Sequence, residues 1–320
     1  MKPFNVFPYD SSINFMRMRW VSLTIAALIM FVGIGAMVTK GFNFALDFTG
    51  GVGVELRFQK PADVDGVRSR LERAGYSNAS VQTFGTGSDV LVRLQDKPHE
   101  TTQSAASAPT SIAQEVRRIA STPDNQAEVR SSAQISAQVG KELATNGLYA
   151  LLFVIVGFGF YISFRFEWKF AAAAIVTTMH DVVVVAGWFA LTGHEFDLTV
   201  LAGVLSVMGY SINDTIVVFD RVRENFRSMR ASPYEVLNKS VNQTLSRTVI
   251  TSFVAFLTVF ALYVYGGGSL RGMAESQMIG IIIGTLSSIF VACPLLLWFG
   301  VSKQDLMPKA RDEAALARRP

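Results

Sequence analysis

Cysteine is almost missing from this 320-residue chain: Cys293 stands alone, beside Pro294 in an apolar run. One thiol gives no disulfide within the chain and no thiolate metal cluster, so the redox compartment stays open. Histidine is nearly as scarce, with three residues. No His/Cys/Asp/Glu group has metal-ligand spacing, no glycine-rich loop of the Walker type is present, and no nucleophile-base motif can be recognised. The chain is therefore expected to be neither an enzyme nor a holder of a cofactor, and any energy for work must come from a partner or an ion gradient. Charge is also sparse, at 17%, which argues against a soluble enzyme. The net charge of +4 and pI near 9.2 come from basic residues grouped in short segments, a pattern that sets membrane topology and does not call for nucleic acid.

What is abundant is apolar: half of the residues, with mean hydropathy +0.33. Stretches long enough to cross a bilayer recur at 20–38, 143–164, 170–191, 197–220, 247–265 and 273–299. The first follows a mostly polar segment (1–19) and has no small-residue cleavage site, so it reads as a retained anchor. Between the first two spans, residues 39–142 change character. GVGVELRF (51–58) alternates as a strand, and Val64, Val67, Leu71 and Ala74 have helical spacing. ASVQTFG (79–85) and DVLVRLQ (89–95) read as strands around the turn Thr86-Gly87-Ser88. A polar linker (97–109), a helix carrying Ile112, Val116 and Ile119, and a last strand AEVRSSAQI (127–135) follow. The order β-α-β-β-α-β is that of a ferredoxin-like α+β domain.

Lys and Arg crowd the N-terminal segment, the 165–169 loop, the 221–246 segment and the tail 300–320, whereas the opposite short loops hold only Arg271. Both termini are expected in the cytoplasm and residues 39–142 in the periplasm; long translocated domains are exempt from the rule.

An ionised side chain at bilayer depth costs roughly 2.5–3.5 kcal/mol on insertion scales, so each one invites a functional reading. The fourth span carries Asn213 and Asp214. Gly203, Ser206, Tyr210 and Asn213 share a small, polar face of that helix, a face that meets neighbouring helices or water. Arg247 opens the fifth span, on a face with Thr251, Ala255 and Thr258, at a depth where it can pair with Asp214 or snorkel to headgroups. His180 and Asp181 form a second ionisable pair on the third span. They point about 100° apart, so Asp181 and Asp214 can line one path while His180 meets a different partner. On the sixth span, Ser276, Gly280, Gly284 and Ser288 recur every four residues, a ridge suited to close helix packing. Asp47, Thr49, Gly50 and Gly51 lie in LDFTGG, where the glycine pair reads as a tight turn.

GFNFALDFTGG (41–51), MHDVVV (179–184), VMGYSINDTIVVFDRVREN (207–225) and NQTLSRTVITS (242–252) together resemble the SecF family of translocase subunits, within the resistance-nodulation-division superfamily. The resemblance covers nearly the whole chain. It implies six transmembrane helices, half of a twelve-span bundle completed by SecD, in the bacterial inner membrane beside the SecYEG channel. It also implies use of the proton-motive force to help draw a preprotein across late in its translocation. On the same grounds Asp214 and Arg247 are implied in proton transport, with Asn213 in the same motif and His180 and Asp181 matching a second one. Two other readings stay open: a half-transporter exporting small hydrophobic molecules, as elsewhere in the superfamily, and a passive scaffold for SecD.

Overall fold

The computed structural model describes residues 11–76, 79–84, 87–94 and 108–306. The expected linker at 97–109 lies almost entirely outside these residues, as do the start of the N-terminal segment and most of the basic tail. Among the described residues, six helical segments are long and apolar enough to cross a membrane: Phe15–Thr39, Gln138–Arg165, Trp168–Thr192, Leu198–Ser228, Pro233–Tyr265 and Leu270–Trp298. They correspond to helices α1 (Arg19–Thr39), α5 (Ala137–Arg165), α6 (Trp168–Thr192), α7 (Leu198–Ser228), α8 (Pro233–Tyr265) and α9 (Gly268–Ser287), the last continued by α10 (Cys293–Trp298). Their outer surfaces expose large apolar side chains such as Phe31, Phe153 and Phe164, as expected of helices solvated by lipid.

Two boundaries differ from the sequence reading. The second half of the basic 221–246 segment and the fifth span are one helix of 33 residues, α8. It starts on a capping box between Ser232 and Glu235 with Pro233 in the first turn, and no glycine or proline interrupts it from Tyr234 to Tyr265. Composition changes near Arg247, but backbone hydrogen bonding does not stop where hydropathy rises. For the same reason α7 continues past the charged residues at 220–224 to Ser228. In the last span, residues Ser288–Ala292 widen into a π-turn ahead of Pro294. Proline has no N–H and its ring crowds the carbonyl of the preceding turn, and the π-turn absorbs that misfit.

Between α1 and α5 the chain forms β1 (Asn43–Phe44), α2 (Leu46–Thr49), β2 (Gly51–Phe58), α3 (Val64–Arg73), β3 (Ser80–Phe84), β4 (Asp89–Leu94), α4 (Ala108–Ala120) and β5 (Ala127–Ile135). β2 to β5 make an antiparallel sheet in the order β3-β4-β2-β5, the ferredoxin-like arrangement. Alternation sends Val52, Val54 and Leu56 of β2 and Val90 and Val92 of β4 to one face, where they are packed with Val67, Leu71 and Val116 of α3 and α4. The sheet's other face carries Gly53, Glu55, Leu91, Arg93 and Ala133, which line a cleft with residues at the ends of the long helices.

The domain is fastened to the bundle. β1 pairs in parallel with β6 (Glu195–Phe196), the two-residue strand between α6 and α7. The turn after α2 uses Gly50 and Gly51 at φ of 71° and 130°, backbone that other residues rarely adopt. Gly140 of α5 packs on that turn so closely that a Cβ there would lie 3.0 Å from Gly50 N and 3.1 Å from Phe48 O.

Candidate functional site

The buried polar groups of the bundle gather where α6, α7, α8 and α9 meet, and small residues make that meeting possible. Along the α7–α9 contact, a Cβ on Gly280 would overlap the Val207 side chain, and one on Gly203 would overlap Ser276 Oγ. A Cβ on Gly284 would sit 3.3 Å from Ser211 Cβ and 3.7 Å from Asp181 Oδ2. The ridge of Ser276, Gly280, Gly284 and Ser288 thus brings two backbones together and places polar side chains between them.

Asp181 is completely buried on α6. Its Oδ2 accepts from Ser211 Oγ of α7 at 2.5 Å and from Ser287 Oγ of α9 at 2.8 Å. Its Oδ1 is 2.9 Å from His180 Nδ1. The carboxylate therefore has three donors from three helices and reads as a knot in the packing. His180 does not meet a different partner as its position suggested: its ring turns back to its neighbour, and its buried Nε2 finds no hydrogen-bond partner among the described residues.

Asp214, on α7 one turn beyond Ser211, is also buried, yet its surroundings differ. Among the described residues its one hydrogen bond is a long 3.5 Å contact from Ser252 Oγ of α8. Ser252 accepts from Tyr210 at 2.8 Å, and its Oγ lies 2.7 Å from Thr285 Oγ1 of α9. Thr285 Oγ1 is in turn 2.6 Å from the Ile281 carbonyl one turn back. With Thr285 donating to that carbonyl, the single Ser252 proton has two acceptors, Thr285 and Asp214. Ser252 is the last residue of NQTLSRTVITS and Thr285 lies in no motif; neither is charged, and only the helix crossing reveals that they meet.

Arg247 is not brought into contact with Asp214. It lies exposed on α8, and no ion pair joins the two residues in the structure. Ser206 and Asn213 are exposed on α7 as well, whereas Gly203 of the same expected face is buried. Polar groups at Ser206, Asn213, Arg247, Thr251 and Thr258 thus point out of this bundle at the level of the spans.

The other end of α7 meets the β-sheet domain. Asp197 caps the helix by accepting from Val200 N at 2.7 Å, and Asp47 of α2 accepts from Leu198 N at 3.2 Å. The first amides of a helix need such acceptors. Arg93 of β4 forms an ion pair with Glu195 just before α7. Burial pulls the Arg93 guanidinium down to about 10, against the upward influence of Asp197 and Asp47. The cleft beside these residues, about 780 Å³, is lined by Gly53, Arg93, Arg271 and Glu275 among others. Thr49 Oγ1 bonds the Ala45 carbonyl at 3.1 Å and so holds α2 in shape. The signature LDFTGG is therefore more than a turn: it links the domain to the helix that carries Asp214.

The profile for the protein export membrane proteins SecD/SecF, C-terminal, matches residues 115–302, and that of the SecD/SecF GG motif matches residues 35–62. The protein translocase subunit SecF of Pseudomonas aeruginosa is 42% identical over 303 residues, covering 94% of this chain and 96% of its own. SecF of Vibrio alginolyticus is 39% identical over 306 residues, 95% of each chain. SecDF of Brucella abortus is 34% identical over 317 residues, 97% of this chain but 40% of that longer protein. A crystal structure of SecDF from Thermus thermophilus, described as a translocon-associated membrane protein, superposes with a TM-score of 0.82 at 36% identity, over 93% of this chain and 40% of its own. SecDF in a super-membrane-facing form gives 0.65 at 35% identity, over 99% and 41%. The chain thus spans about two-fifths of each SecDF protein and nearly the full length of the SecF proteins.

Proposed function

The chain belongs to the SecD/SecF family of protein-export membrane proteins, and from that premise we propose that it is the half of an inner-membrane translocation motor that couples protonation of Asp214 to movement of its β-sheet domain. The reading places both termini in the cytoplasm and residues 39–142 in the periplasm, following the distribution of Lys and Arg. A SecD-type half covers the face on which Ser206, Asn213 and Arg247 are exposed. Leaving polar and charged groups against hydrocarbon is costly, and a second six-span half removes that cost. The SecDF proteins, in which a chain like this one is continuous with a further portion, support the pairing. The SecYEG channel and an emerging preprotein are the remaining partners of this account.

One observation carries the mechanism: two buried aspartates in one bundle have unlike environments. Asp181 is held by three donors and serves as a structural anchor. Asp214 has one long contact to a hydroxyl that already has another acceptor, so it can gain or lose a proton without dismantling a network. Charging Asp214 draws the Ser252 proton and the field of Arg247 towards it, and neutralising it releases both. The two states favour different packings of α7 against α8 and α9. From Asp214 to Leu198 is 16 residues, or about 24 Å of helix. A tilt of α7 therefore reaches Asp47, Glu195 and Arg93, and with them the whole sheet. One of the similar SecDF structures is described as a super-membrane-facing form, which supports more than one arrangement in proteins of this kind.

The test is preprotein release from energised membranes containing the chain with its SecD partner. Asp214→Asn is expected to abolish the part of release that depends on the proton gradient while the protein remains assembled. Undiminished gradient-dependent release by that variant would instead favour the passive scaffold.

A further inference from the structure

Away from this polar core, at the end of the bundle where α1 begins, Arg19 lies 5.6 Å from the Tyr234 ring centre and 6.0 Å from that of Trp20. No carboxylate pairs with it among the described residues. Of the other arginines at this end of the bundle, Arg165 pairs with Asp220, Arg221 with Glu224 and Arg223 with Glu167, whereas Arg17, Arg227 and Arg230, which also have no ion pair among the described residues, do not line the groove beside Arg19. Tyr234 is fixed by its hydroxyl, which donates to Asn14 Oδ1 at 2.6 Å. The guanidinium is therefore set by aromatic rings, and its own N–H donors are not engaged by an anion of the protein.

Beneath Arg19 a groove of about 320 Å³ runs between α1 and α10, lined by Trp20, Leu23, Pro294, Leu297 and Trp298. Its size is at the lower end of the range for small-ligand pockets. Pro294 forms part of its wall. Trp20 and Trp298 are 61% and 66% exposed, as expected for rings at the headgroup level of a membrane. The groove is apolar along its length and cationic at one end.

We propose that this groove is a binding site for an anionic phospholipid, with the phosphate headgroup on Arg19 and an acyl chain along Leu23, Leu297 and Trp298. Charge complementarity selects the ligand. A planar guanidinium presents parallel N–H donors that match a phosphate, and a cation at the membrane surface attracts acidic lipid. A zwitterionic lipid fits the apolar part equally well but carries a compensating ammonium, so the site discriminates by headgroup. Bound there, the lipid bridges α1 to the start of α8, the helix that supplies Ser252.

The test uses the full chain with its SecD partner in phosphatidylcholine nanodiscs, following quenching of tryptophan fluorescence by brominated phosphatidylglycerol or brominated phosphatidylcholine. Phosphatidylglycerol is expected to quench at about fivefold lower mole fraction, the worth of one basic residue near a membrane surface. Arg19→Gln should erase that preference and Arg19→Lys should retain it. Arg17→Gln, which removes an equal charge outside the groove, should leave it intact. Equal quenching by both lipids in the unaltered chain overturns the proposal, as does an equal loss of preference in Arg17→Gln and Arg19→Gln, which points to diffuse surface attraction.

Discussion

Replacing Asp181 by alanine tests the division between anchor and proton site at its weakest point. The substitution removes the acceptor of Ser211, Ser287 and His180 at once. Ser287 keeps an alternative, the Gly284 carbonyl at 3.1 Å, so two donors are stranded. A stranded buried donor costs about 1–3 kcal/mol in proteins generally. Hydrogen bonds between membrane helices have measured values that average about 0.6 kcal/mol and reach about 1.7. For two donors the first gives about 2–6 kcal/mol and the second about 1–3, which overlap at a loss of about 2–3 kcal/mol for Asp181→Ala. For Asp214→Ala the one lost contact is 3.5 Å long and Ser252 keeps Thr285, so the cost is at most about 0.6 kcal/mol. Reversible unfolding in bicelles, with both variants and the parent chain in the same partner-bound form, gives the comparison. Equal destabilisation by the two substitutions, or a stable Asp181→Ala, refutes the assignment of Asp181 as the anchor.

Gly280→Ala should destabilise the bundle by about 1–3 kcal/mol through overpacking against Val207, although alanine is the better helix former by about 1 kcal/mol; thermal unfolding in detergent decides the sign. In the β-sheet domain, the hydrogen bonds of Arg57 to Asp89, at 2.8 and 3.2 Å, hold that carboxyl below its ordinary value of 3.8, with burial opposing them. A depressed folded pKa contributes stability that is fully present above the unfolded value and disappears as pH falls through the folded one. The acid limb of domain unfolding should therefore flatten in Asp89→Asn below pH of about 4, and an unchanged limb measured by circular dichroism contradicts the assignment.

Much of the architecture was legible because it rests on long-range composition and simple periods. The apolar runs mark the spans, and the strands read at 51–58, by alternation, and at 127–135 are β2 and β5 at the bounds the structure gives them. The ridge at Gly280 and Gly284 was likewise readable as packing. What escaped depends on two or three atoms meeting across about 100 to 150 residues: Asp47 on Leu198 N, β1 on β6, and Arg93 on Glu195. The depth of Arg247 made a pair with Asp214 reasonable, but depth says nothing of azimuth, and α8 turns the arginine outward. For His180 the 100° separation of neighbouring residues was right for Cα–Cβ directions and wrong for the ring, because an imidazole is long enough to reach back. The continuity of α7 and α8 was hidden by hydropathy, which reports the solvent around a helix and not its hydrogen bonds.

The claim that Asp214 governs the position of the β-sheet domain is tested most directly by a distance. Spin labels at Gln114→Cys on α4 and Tyr265→Cys at the end of α8, both exposed positions, report the domain against the bundle, while the buried Cys293 stays unlabelled. The account predicts that acidification shifts the distance distribution of the parent complex, and that Asp214→Asn shows the shifted distribution at every pH. A pH-dependent shift that survives unchanged in Asp214→Asn contradicts it.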